Sequence, residues 1–169
     1  RLKALTQPLT TPGRLWYEAP DRFRWELGVP AQSIAIRRGD TLLILSPKLR
    51  RAEKYSIEAA ARGPMKEAMS LLDTGFPRDA ADFNRRFELL RMVEEPGAHR
   101  FELQPRDARA RQLLPFLSLT VQAADLGLAA TSIRFADGSE LQTLFTNAVR
   151  NPKVDPALFD PTPPADFKL

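Results

Sequence analysis

GRLWYEAPDRFRWEL, residues 13–27, holds two aromatic-rich alternating runs joined by a turn that contains proline. Leu15 and Tyr17 alternate with Arg14, Trp16 and Glu18; after Ala19-Pro20-Asp21, Phe23, Trp25 and Leu27 alternate with Arg22, Arg24 and Glu26. A period of two marks a strand with unlike faces, so the stretch predicts a β-hairpin that displays large apolar rings on one side. Pro20 presets the turn, and Asp21 is able to bond its own backbone. Function depends on what those rings face: a packed core, or a cavity that another molecule fills.

Working outward, short strand-like runs follow at 32–38, 41–46 and 51–57, with Gly39-Asp40 as a tight two-residue connection and Ser46-Pro47 closing the next. A second series occupies 87–94, 99–104, 116–123, 130–136 and 139–149, punctuated by Pro96-Gly97, Gly127 and Asp137-Gly138. With residues 2–6 and the two opening strands, this makes roughly eleven segments at the spacing of an antiparallel barrel or sandwich. Alternation is clean in the second series: Leu117, Leu119 and Val121 stand against Ser118, Thr120 and Gln122, and Ile133 and Phe135 against Ser132, Arg134 and Ala136. The run Leu42-Leu43-Ile44-Leu45 breaks the rule and predicts a strand covered on both faces.

The middle of the chain is expected to supply that cover. After Gly63-Pro64, Met65, Ala68, Met69 and Leu72 recur at helical spacing, with Lys66, Glu67, Ser70 and Asp73 opposite and Gly75 at the end. A second short helix is predicted over 79–86, with Asp79 as cap and Ala80 and Phe83 facing inward. Helices over about 64–86, inserted into a meander of strands, look like a lid. Residues 151–169 are too rich in proline for a central strand and read as a tether anchored by Leu158 and Phe159.

The 169 residues, 43% of them hydrophobic, suit a single domain with a real core. No window approaches the 18 or so uninterrupted apolar residues of a membrane span, so the chain reads as soluble. It opens as if a strand were already under way, which implies an upstream segment such as a cleaved signal; residues 1–6 themselves lack a signal peptide's apolar stretch. Zero cysteines exclude a thiolate nucleophile, a zinc–thiolate site and a disulfide, and leave the redox compartment open. The 25 basic and 21 acidic residues are interleaved, so clusters at 37–38, 48–51 and 106–111 read as solvated surface and not as a nucleic-acid footprint.

Catalytic chemistry is hard to find. One histidine, His99, follows the Pro96-Gly97 turn without an evident partner. Carboxylate pairs such as Glu94-Glu95 and Glu18 with Glu26 sit beside turns or on the wet side of strands. No glycine-rich phosphate loop, dinucleotide fingerprint or nucleophile elbow occurs, and neither catalysis nor a cofactor is expected. What is unusual is apolar surface in excess of one tidy core: Trp16, Phe23, Trp25, the run 42–45, and a helix with two methionines on one stripe. Methionine repacks easily around variable shapes. The stripe closes either an ordinary core or a greasy cavity under a movable lid.

The string 13–25, with Leu15-Trp16, Pro20 and Phe23-Arg24-Trp25, then Gly39-Asp40-Thr41-Leu42 and the closing Asn151…Asp155…Leu158-Phe159…Pro163-Pro164, resembles the LolA-type outer-membrane lipoprotein carriers over nearly the whole chain. The resemblance implies a mainly β fold, an incomplete antiparallel barrel of about eleven strands with a helical lid over an apolar cavity. It also implies a monomeric periplasmic carrier that takes acylated lipoproteins from an inner-membrane release transporter to an outer-membrane receptor. The family's functional phenylalanine matches Phe23 and its neighbouring tryptophan Trp25. The expected cavity lining is Tyr17, Phe23, Trp25, Leu27, Ile34, Ile36, Leu43 and Leu45, with Met65, Met69 and Leu72 on the lid. Well-studied members carry an arginine just before the turn proline that holds the lid shut; here Ala19 stands there, with Arg22 and Arg24 as the nearest substitutes.

A chain of about sixteen carbons gains roughly 12 kcal/mol on leaving water, so a carrier that captured all of it would never release its cargo. Imperfect burial is therefore expected. Phe23→Glu is expected to abolish acyl-chain uptake with the fold intact. A carrier for a free lipid or an acylated metabolite, and an interaction domain with a packed core, are the alternative readings.

Overall fold

The computed structural model describes residues 7–60 and 80–169, which form two compact units: residues 10–60 with 153–169, and residues 7–9 with 80–152. The first holds β1 (Gly13–Glu18), β2 (Arg22–Leu27), β3 (Ser33–Arg38), β4 (Thr41–Ser46), β5 (Arg51–Ser56) and the short α1 (Ile57–Ala60). Its strands form one antiparallel sheet in the order β1-β2-β3-β4-β5, each beside its neighbour in sequence. Gly39 opens the two-residue β3–β4 loop at φ +59°, the left-handed conformation that a Gly-X hairpin loop demands. The Asp40 carboxylate then accepts bonds from the Ser56 hydroxyl and the Glu58 amide, both at 2.7 Å, and so ties the loop to the end of β5.

β4 is buried on both faces, as its unbroken apolar run predicts: Leu42 and Leu43 are fully sealed and point opposite ways. The cover on one side is the C-terminal segment. Asp155 caps a 3₁₀ turn, Pro156–Phe159, by accepting from the Ala157 amide at 2.9 Å, and Pro156 fits the first helical position. This turn lies against β2 and β3, with Phe159 buried and the Leu158 carbonyl accepting from Arg24 Nη1 at 3.4 Å. Eight residues beyond Phe159, Phe167 packs against the cluster of Ile36, Leu43, Leu45 and Ala52, as Ile34 does. The expected anchor of Leu158 and Phe159 thus has a second apolar contact in Phe167.

The second unit holds α2 (Ala80–Arg86), β6 (Phe87–Glu95), β7 (Ala98–Pro105), α3 (Ala108–Leu113), β8 (Phe116–Gln122), β9 (Leu128–Arg134) and β10 (Glu140–Leu144). Its strands make a second antiparallel meander, β10-β9-β8-β7-β6. Phe87, Leu103 and Leu117 form the buried centre, with Phe83, Phe101, Leu119 and Ile133 packed around them; each such side chain contributes roughly 1.5–3 kcal/mol when fully buried. α2 departs from expectation: Phe83 faces this core, but Ala80 is exposed and the buried residue is Asp82, whose carboxylate takes Arg85 at 2.7 Å and Arg86 at 2.9 Å. The charge run at 106–111 overlaps α3, which Asp107 caps by accepting from the Ala110 amide at 2.8 Å.

The fold is mainly β, and ten of the expected segments are strands. They pair as two sheets of five, and among the described residues no pairing joins them into one barrel. The expected strand at 2–6, the helix after Pro64 and the Asp79 cap lie outside the described residues.

Candidate functional site

Cross-strand pairing sorts the first sheet into two faces, because directly opposed residues point the same way and neighbours along a strand point opposite ways. One face carries the row Tyr17, Phe23, Arg37, Leu42, Tyr55 and, beside it, the row Leu15, Trp25, Ala35, Ile44, Glu53. Leu27, opposite Ser33, extends it. Phe23 and Leu42 are its sealed centre, with Leu15, Trp25, Ala35, Ile44, Tyr55 and Ile57 packed against them. Burial falls off outward: Phe23 is 1% exposed, Tyr17 40% and Leu27 39%. The structure therefore brings Tyr17, Phe23, Trp25 and Leu27 together on one ring-bearing surface.

Ile34, Ile36, Leu43 and Leu45 point the other way, into the cluster that Phe167 and Ala52 complete. The eight residues expected as one lining therefore divide between the two faces of this sheet. The reason is loop parity. Five residues separate Leu27 from Ser33, an odd number, so odd-numbered β3 residues share the face of odd-numbered β2 residues; two separate Arg38 from Thr41, so the parity switches at β4. Ala35, Leu42, Ile44 and Tyr55 thus hold the places on the ring face. Counting loop residues would have found them. Met65, Met69 and Leu72 fall outside the described residues.

Charge separates the two faces further. Arg22 and Arg24 project away from the rings, where Arg22 pairs with Glu18 at 3.2 Å and Arg24 with Glu26 at 2.7 Å, so neither takes the place of an arginine on the ring side. Arg37 is a buried cation on the ring face, 7% exposed between Phe23 and Leu42, with its Nε donating to the Gly39 carbonyl at 3.3 Å. Burial raises the Tyr17 phenol above its ordinary pKa against the opposing pull of Arg37. At the far edge, the Tyr55 hydroxyl donates to Glu53, and that bond holds the phenol up.

The second sheet carries another apolar face. Leu89, Leu103, Leu117, Ile133 and Leu141 make one row and Met92, Phe101, Leu119, Thr131 and Thr143 the next, because a bulge at Leu90 brings Met92 onto the face of Leu89. Its centre is buried, while Leu89, Met92 and Leu141 at the margins are about half exposed. Its reverse is ionic: Glu102, nearly inaccessible, receives Arg91 and Arg100, the latter at 2.6 Å, and Arg100 also meets Glu95 at 2.6 Å. Hydrogen bonding from Arg91 holds the Glu102 carboxyl below its usual range.

His99 lies on β7 on the apolar side, opposite Val121 and Glu94, with its buried Nδ1 lacking a hydrogen-bond partner among the described residues. No group of three metal-ligating side chains occurs among the described residues. No described helix is long and apolar enough to cross a membrane. No curated protein matches the chain significantly. The family model for the outer membrane lipoprotein carrier protein LolA matches residues 2–162, nearly the whole length, and this chain belongs to that family of lipoprotein carriers.

Proposed function

We propose that this chain is a periplasmic carrier that holds the acyl chains of lipoproteins against the ring face of its first sheet and moves them from an inner-membrane release transporter to an outer-membrane receptor. Family membership supports the carrier class. The observation that carries the site is the grading of the ring face from sealed Phe23 and Leu42 to half-open Tyr17 and Leu27. Such a margin takes up part of an acyl chain's surface. Partial uptake keeps the gain well under the roughly 12 kcal/mol of full transfer, so the cargo remains releasable. The lid role of Met65, Met69 and Leu72 rests on their sequence spacing.

The test is capture of a purified lipoprotein in acylated and unacylated forms. The acylated form alone is expected to bind, and Trp25→Ala is expected to weaken capture by about tenfold to a hundredfold with unchanged circular dichroism. Organic extraction of the protein after gentle purification is expected to release lipoprotein-type acyl chains. A different amphiphile in the extract would replace the cargo assignment. Failure of the protein to take up an apolar fluorescent probe would overturn the carrier reading in favour of a packed interior.

A further inference from the structure

One end of the first sheet presents a basic, apolar tip at the β5 edge, where the ring face runs out. The 3₁₀ turn Pro47–Leu49 is stopped by Arg50, which takes a left-handed φ of 47° and donates its amide to the Pro47 carbonyl at 3.1 Å. The C-terminal segment fastens alongside: the Lys168 amide donates to the Arg50 carbonyl at 2.8 Å, and the Ala52 amide to the Lys168 carbonyl at 2.7 Å. These bonds hold Leu49 and Leu169 on a common groove of about 640 Å³ at the β5 edge. Both leucines face solvent, at 71% and 83% exposure.

Arg51, Lys54 and Lys168 line the same groove with Glu53, and Lys48 and Arg50 flank Leu49 in sequence. Glu53 takes Arg51 at 3.1 Å, and Asp166 lies 3.9 Å from an Arg50 side chain that is itself mostly exposed. Lys48, Lys54 and Lys168 have no carboxylate partner among the described residues. Two protruding leucines within a ring of cations match the depth profile of a bilayer boundary, apolar beneath and anionic at the headgroups. An acidic protein partner would need about 800 Å² of complementary surface per side, far more than two leucines furnish.

We propose that this tip docks the protein on an anionic membrane surface, with Leu49 and Leu169 entering the headgroup boundary while the surrounding cations meet lipid phosphates. The docking does not depend on what the protein carries. It is weak and reversible. Each cation that meets the surface strengthens binding by about fivefold, and the contribution fades within a Debye length of about 10 Å at 0.1 M salt.

Co-sedimentation of the full chain with vesicles tests it, using phosphatidylglycerol mixed into phosphatidylcholine against phosphatidylcholine alone. Binding is expected on the anionic vesicles only, and is expected to fall as salt rises. Leu49→Ser with Leu169→Ser, and separately Lys48→Glu with Lys168→Glu, are each expected to weaken it by about tenfold or more. Leu49→Trp is expected to tighten it, a gain that misfolding would not produce. Equal binding to both vesicle types, or no binding to either, would overturn the proposal. So would leucine variants that bind like the parent. Millimolar inorganic phosphate that competed binding away regardless of the leucines would mark a soluble-anion site and overturn the membrane assignment.

Discussion

The two sheets treat their reverse faces differently. In the first, both sides of β4 are apolar, and the side away from the rings is closed by the chain's own Phe159 and Phe167. In the second, the reverse of the apolar face is ionic, with Arg91, Arg100 and Glu95 gathered around the buried Glu102. A sheet that is apolar on both sides needs two covers. The tether spends its few apolar residues on the side of Ile36, Leu43 and Leu45; the ring face is sealed at Phe23 and Leu42 and open at Tyr17 and Leu27, and that half-open margin is the candidate surface for cargo.

The most disruptive way to break this comparison is Phe23→Glu. At 1% exposure, Phe23 leaves no water for a carboxylate, so a loss of about 4 kcal/mol or more is expected, read as a collapse of the thermal midpoint. The substitution therefore reports on folding before cargo, contrary to the expectation from sequence that the fold would survive it. Next is Phe167→Ala, which removes the tether's ring from the Leu43 cluster. A loss of about 2 kcal/mol is expected in denaturant titration, with acyl-chain capture per folded molecule unchanged.

The ionic side of the second sheet gives a pH test. Arg91 and Arg100 hold Glu102 below its ordinary range, so its stabilising contribution is complete above the unfolded value of about 4.3 and is lost as pH falls through the lowered folded value. The stability gap between the parent and Glu102→Gln is therefore expected to shrink as pH drops below about 4.3, and to be flat across neutral pH. A gap that instead widened on acidification would break the comparison. The smallest effect is expected from Asp155→Ala. Losing that cap should cost about 1 kcal/mol and loosen Pro156–Phe159, seen as faster amide exchange at Leu158.

Most of the β architecture was legible from alternation and turn residues. The runs around Gly39-Asp40, Pro96-Gly97 and Asp137-Gly138 all separate paired strands, because those turns demand residue types that stand out. The site was half legible. Tyr17, Phe23, Trp25 and Leu27 share a face because a three-residue loop preserves parity between β1 and β2. Ile34, Ile36, Leu43 and Leu45 lie on the other face: β4 is apolar on both sides and gives no alternation to orient it, and only loop length relates the alternation of β3 to that of β2. Phe167 and Arg37 were invisible for another reason: a distant ring and a lone arginine reach their places through tertiary packing that no local pattern encodes.

The chain's two tryptophans lie on opposite faces of the first sheet, Trp25 with the rings and Trp16 in the row of Ile36 and Leu43, so each reports on one face. Quenching of intrinsic fluorescence by a lipoprotein bearing brominated acyl chains reads them separately once Trp16→Phe or Trp25→Phe leaves a single emitter. Strong quenching of Trp25 with Trp16 little changed is the result that the ring-face account predicts. Trp25 left bright by bound cargo, or both tryptophans quenched alike, would contradict it.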